Sequence, residues 1–93
     1  MNVIVELDSM SRFELGCNEI TISVAPGATG HDVLKALVKA LPRLAQTTID
    51  TKNNEFFDKE TWLAYENRVG IPDLSVPLQL TEGARLLVLT AVC

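Results

Sequence analysis

Apolar and polar positions alternate at the start of the chain. Val3, Val5 and Leu7 share one parity and Asn2, Ile4 and Glu6 the other, which is the period of a half-buried β-strand. The alternation is cleanest in "EITISVAP", where Ile20, Ile22 and Val24 interleave with Glu19, Thr21 and Ser23. The turn-rich stretch from Asp8 to Asn18, with "DSMS" and Gly16, connects the two segments. They are therefore expected to form an antiparallel hairpin, stopped by Pro26 and Gly27.

The period then becomes helical. Val33, Leu34, Leu37, Val38 and Leu41 fall on one stripe. Thr29 is placed to cap this helix with Asp32 as the capping-box acid, and Pro42 disfavours the helical conformation at Leu41 and so marks the stop. Residues 46–60 are polar and turn-prone apart from Ile49, Phe56 and Phe57, and the two phenylalanines are expected to anchor packing. "TWLAYEN" predicts a third strand. "IPDLSVPLQL" predicts an irregular crossover ending in a short edge strand at Leu78 to Leu80, because Pro72 and Pro77 exclude a central strand. A turn at Thr81 to Gly83 leads into a last strand from Arg85 to Val92. Several strands with one amphipathic helix predict an α+β domain in two layers, the helix covering one face of a mixed sheet of four to five strands.

The last strand carries the most functional information. Arg85 needs water, so Leu87, Leu89 and Ala91, which share its parity, are expected on the outer face, with Leu86, Val88 and Val92 against the helix. A one-helix antiparallel sheet ordinarily has a polar outer face. Leucines there are expected to be exposed and to form a contact surface with Arg85, extended by Trp62 or Tyr65 of the third strand. The alternative is that residues 46–60 fold over that face through Phe56 and Phe57.

Composition narrows the choice. Ninety-three residues, 47% apolar and 22% charged, make one domain spanning 1–93, with 46–60 as its polar connecting segment. A chain of this length buries roughly 60–65% of its unfolded surface, which leaves little room for a deep substrate cavity and argues against an enzyme. The net charge of −4 opposes binding to nucleic acid or anionic lipid. Lys35, Lys39 and Arg43, at near-helical spacing, read as a solvated helix face. Two cysteines, Cys17 and Cys93, make no disulfide framework, and no signal peptide or membrane-spanning run is present, so a cytoplasmic location is expected.

Catalytic and cofactor sites find few candidates. His31 is the only histidine and sits in the first helical turn, so no multi-histidine metal site and no second orienting imidazole can be assembled. "PGATG" before the helix reads as a turn. Asp50, Glu55, Asp58 and Glu60 lack the register and central glycine of a calcium loop. No cofactor is implied. The α-carboxylate beside Cys93 disfavours its thiolate, which argues against an activated nucleophile.

Three stretches together resemble the β-grasp fold of ubiquitin and of the sulfur carriers, the molybdopterin synthase small subunit and the thiamine sulfur carrier. They are "VAPGATGHDVLKALVKALPRL" at 24–44, "LAYEN", and "PLQLTEGARLLVLTAV" with its Pro77, Leu78, Glu82, Gly83 spacing. The carriers are the closer match. The resemblance implies a ubiquitin-like protein without catalysis of its own that docks on a protein partner, either an adenylating (E1-like) enzyme or a larger enzyme subunit. In those families the last strand continues into a Gly-Gly tail that is adenylated and then converted to a thiocarboxylate or joined to an amine. Here "LTAV" is followed by Cys93, and no two glycines adjoin anywhere. The tail Ala91, Val92, Cys93 therefore leaves three readings open: a relative used for binding as a scaffold subunit, a terminal cysteine in place of the diglycine, or a shortened chain.

Overall fold

The first and last strands lie side by side at the centre of one sheet. The computed structural model describes residues 1–7 and 19–90, so the expected turn around Cys17 and the tail from 91 to 93 lie outside the described residues. The elements in chain order are β1 (Asn2–Leu7), β2 (Glu19–Ser23), α1 (Gly30–Ala40), α2 (Leu44–Thr47), β3 (Ile49–Asp50), β4 (Glu55–Phe56), β5 (Thr61–Tyr65) and β6 (Ala84–Thr90). The main sheet has the order β2-β1-β6-β5, and β3 and β4 form a separate two-stranded ribbon. The β1–β2 and β5–β6 pairs are antiparallel and the β1–β6 pair is parallel. This is the expected mixed sheet with one main helix.

Alternation sets which side chains meet the helix. Val3, Val5, Leu7, Ile22, Leu63, Leu86 and Val88 lie in one core with Val33, Leu34 and Leu37 of α1. Thr29 caps α1 as the sequence predicts: its hydroxyl accepts from the Asp32 amide, and its own amide donates to Asp32 Oδ2 at 2.9 Å. The bond from the Thr29 amide, with the Thr29 hydroxyl and nearby cations adding to it, holds the Asp32 carboxyl below the ordinary aspartate value of 3.8. A carboxyl lowered on folding stabilises fully above its unfolded value, and that stabilisation is lost as pH falls through the folded value. The stability gap between wild type and Asp32→Ala, measured by urea unfolding, is therefore expected to be constant near neutral pH and to shrink once pH drops below 3.8.

Gly30 opens α1 where the crossover after β5 presses on it. A Cβ at Gly30 would sit 2.6 Å from Leu74 Cδ2 and 3.0 Å from Leu74 Cα, and the His31 amide donates to the Leu74 carbonyl at 3.0 Å. Gly→Ala in a helix ordinarily gains about 1 kcal/mol. Here the leucine side chain can turn aside but the pinned backbone cannot, so Gly30→Ala is expected to lose about 1–2 kcal/mol in denaturant unfolding. An unchanged or raised midpoint would show that the crossover yields.

The polar segment 46–60 and the crossover depart from expectation. The segment holds the end of α2 and the β3–β4 ribbon, whose turn is tied by Asp50, with the Asn53 side chain donating to Oδ2 at 2.8 Å. Ile49 is fully buried and Phe56 packs against the main core, whereas Phe57 is 55% exposed. Neighbouring residues on extended chain point opposite ways, so the pair could not both face inward. The ribbon packs on the helix side. His31 Nδ1 lies 2.8 Å from the Asn54 carbonyl, which can only accept, and Asn54 Nδ2 donates back to the His31 carbonyl at 3.0 Å. The alternative in which 46–60 covers the outer sheet face is thus not what forms. The expected strand at Leu78 to Leu80 does not form either. Pro77 makes an isolated bridge to Thr29, and the Leu78 amide donates to the Ala28 carbonyl at 2.8 Å, tying the crossover to the turn before α1. Among the described residues no helix is long and apolar enough to cross a membrane.

Candidate partner-docking face

The face of the sheet away from α1 follows from the register. Arg85 is the cross-strand neighbour of Ile4, Leu87 of Glu6 and Ala64, and Leu89 of Trp62, while Glu19 lies opposite Glu6 on the other side. These residues share one parity, so Arg85, Leu87, Leu89 and Trp62 occupy one face as the sequence implies. Tyr65 does not join them. It pairs with Leu86 on the helix-side parity and packs against the main core, where its hydroxyl accepts from the Gln79 amide at 3.4 Å. An aromatic on strand three was the signal used, but parity, also legible in the sequence, separates Tyr65 from Trp62.

Arg85 organises the polar part of the face. Its Nη1 donates to Glu6 Oε1 at 3.0 Å and to Glu19 Oε2 at 2.8 Å, so one guanidinium ties β6 to β1 and, one strand further, to β2. The bond to Glu19 is the main influence that raises the Arg85 pKa, which keeps the group cationic at every accessible pH. Both contacts use Nη1 and neither draws on Nε or Nη2. A guanidinium carries five N–H donors, so the group retains capacity for a further acceptor. The two acidic partners were missed in the sequence, although Glu6 and Glu19 both fall on the outer parity of their strands.

The leucines correct the expectation. Leu87 and Leu89 are only 5% and 7% exposed and form a small cluster of their own with Ala64, separate from the helix-side core. Their assignment to the outer face holds, but their exposure does not. A central strand flanked on both sides shields its own side chains more than alternation alone suggests. Among the described residues, Trp62 on the edge strand β5 is the large apolar side chain of this face that remains open, at 36% exposure. The face therefore offers one indole and a charged Arg–Glu array rather than a wet leucine patch. The tail residues Ala91, Val92 and Cys93 lie outside the described residues. Among the described residues no group of three or more His, Cys, Asp or Glu side chains is placed to hold a metal ion.

A four-stranded sheet with a parallel first–last pair at its centre and one long helix across it defines a ubiquitin-like β-grasp fold. No protein-family model and no curated protein matches the chain. Solved structures do. SAMP1 from Haloferax volcanii superposes with a TM-score of 0.78 at 21% identity, covering 99% of this chain and 97% of that one. A second structure, of the H. volcanii small archaeal modifier protein 1, gives 0.75 at 21% identity with 98% of each chain covered. A putative molybdopterin converting factor, subunit 1, from Pyrococcus furiosus gives 0.67 at 18% identity over 99% of both chains. The β-grasp fold expected from the sequence is the fold observed.

Proposed function

We propose that this chain is a small ubiquitin-like, sulfur-carrier-like protein, without catalysis of its own, that docks on a protein partner through its outer sheet face and C-terminal strand. The observation that carries the reading is near-complete overlap in fold with a small archaeal modifier protein and a molybdopterin converting factor subunit. The outer face supports it physically. The face carries an exposed indole at Trp62 and, four residues along β6 from its neighbour Leu89, a guanidinium with spare donors, and Trp and Arg are residue types favoured at protein interfaces. The partner class that fits is an adenylating (E1-like) enzyme or a larger enzyme subunit.

Sulfur-carrier or modifier chemistry would run at the chain's C-terminal carboxylate. The carboxylate attacks the α-phosphorus of ATP, pyrophosphate leaves, and the acyl-adenylate then yields to a sulfur or amine nucleophile with release of AMP. The second reading is a binding or scaffold subunit that does not use this chemistry. Intact-mass measurement after incubation with the source organism's E1-like enzyme and ATP separates the two: one added adenylyl group supports the carrier, and an unmodified mass supports the scaffold.

Docking itself is tested apart from that chemistry. Arg85→Glu and Trp62→Ala are each expected to weaken affinity for the cognate partner by about tenfold or more, with the far-ultraviolet circular dichroism unchanged. Wild-type affinity in both variants would remove the outer face from the interface.

A further inference from the structure

Two depressions share Trp62, Ile71 and Pro72 in their linings, along the outer edge of β5. One is an apolar notch of about 340 Å³ completed by Gly70. The other is a groove of about 480 Å³ that runs past Thr61 and Leu63 towards the start of α1 and the β3–β4 ribbon. The wall opposite β5 is the crossover, pinned at both ends. The Ile71 amide donates to the Leu63 carbonyl at 2.8 Å, and the Leu74 carbonyl accepts from the His31 amide at 3.0 Å. Between those anchors Asp73 is locked by Ser75, whose hydroxyl and amide both donate to Oδ1, at 2.6 and 2.9 Å. The near wall is tied as well, with the Thr61 amide donating to the Asp58 carbonyl at 3.1 Å and the Glu60 amide to Asp58 Oδ1 at 2.8 Å. The walls are thus fixed before any ligand arrives, which lowers the ordering cost of binding.

The linings differ in chemistry. The notch is almost wholly apolar: a Cβ built on Gly70 would touch the indole at 3.5 Å, so the ring lies across the glycine. The groove carries three carboxylates, Glu55, Asp58 and Asp73, against one ammonium, Lys59. The Ser75 hydrogen bonds hold the Asp73 carboxyl below the usual range, so it stays ionised. The whole chain adds to the field with its net charge of −4. Strand addition is closed off further along this edge, because the Tyr65 amide already donates to the Val69 carbonyl at 3.0 Å. A ligand here is held by its side chains.

We propose that this edge groove is a docking site for an extended basic–apolar segment of a partner protein, with an aliphatic side chain in the Trp62–Gly70–Pro72 notch and an Arg or Lys among Glu55, Asp58 and Asp73. Neither depression includes Arg85, although both share Trp62 with the outer face.

Trp62 is the only tryptophan in the chain, so its emission reads occupancy directly. The probe is the peptide acetyl-Arg-Leu-Lys-Val-Arg-Leu-amide, titrated at low salt, with acetyl-Glu-Leu-Glu-Val-Glu-Leu-amide as the charge-inverted control. The basic peptide is expected to shift the emission saturably, with a Kd of about 10–100 µM, and to lose about tenfold in affinity between about 50 and 500 mM salt. The triple variant Glu55→Gln/Asp58→Asn/Asp73→Asn keeps the turn acceptors and is expected to bind about tenfold more weakly. Gly70→Val fills the notch and is expected to weaken binding with the fold retained by circular dichroism. Arg85→Lys, which preserves the net charge, is expected to bind the peptide as wild type does. No emission change up to about 1 mM peptide, a weak limit for any specific contact, overturns the proposal. So does equal binding of the acidic peptide, or undiminished binding by both the triple variant and Gly70→Val.

Discussion

Leu37→Ala is expected to lower the free energy of unfolding by about 2–5 kcal/mol, read from the urea midpoint at constant slope. Leu37 is fully buried on the face of α1 that meets the sheet, in one core with Val3, Val5, Leu63 and Leu86. Truncation removes the transfer energy of three carbons and leaves a cavity that two stiff layers close only in part. Domains of this size hold about 5–15 kcal/mol in all, and each kcal/mol shifts Tm by about 4–8 °C. The variant should therefore melt far below wild type while keeping its fold at low temperature. A midpoint within error of wild type would place α1 off the sheet and undo the two-layer architecture.

Leu87→Asp is expected to cost about 2–4 kcal/mol, an effect that separates a structural leucine from a surface one. Leu87 is 5% exposed on the central strand β6, with Ala64 beside it on β5 and Glu6 on β1. An aspartate there loses its hydration and meets the Glu6 carboxylate across the strand, while Arg85, two residues back on the same face, offsets part of that repulsion. Leu87→Ala separates burial from charge: it should lie between wild type and the aspartate variant in the same urea series. If Leu87→Asp unfolds at the wild-type midpoint, the leucine is in water and the outer-face patch read from the sequence returns.

Those two residues show where sequence reasoning succeeds and where it stops. Side-chain direction was legible because β alternation is strict: Arg85, Leu87 and Leu89 on one face and Leu86 and Val88 on the other follow from parity alone. Exposure was not legible, because it depends on which strands flank β6, and that is a long-range fact. The ends of α1 were readable from Thr29, Asp32 and Pro42, whose effects act within one turn. The β3–β4 ribbon was not, since a two-residue strand leaves no period to detect, and Ile49 and Phe56 are its only core contacts. Leu78 to Leu80 has the composition of an edge strand, but Pro77 and the Ala28 carbonyl divert it to the helix start. Trp62 was singled out correctly for the outer face, whereas the groove on its other flank is assembled from four separate segments and leaves no local trace.

The parallel β1–β6 pair has a consequence for synthesis. The Gly83 amide reaches the Asn2 carbonyl at 2.8 Å and the Asn2 amide reaches Glu82, so residues some eighty positions apart close the middle of the sheet. Without β6, the β1–β2 hairpin and β5 have no common neighbour. A nascent chain on the ribosome therefore cannot complete its sheet until residue 90 has left the exit tunnel, and until then the inner edge of β1 is open to a chaperone or to a second unfinished copy.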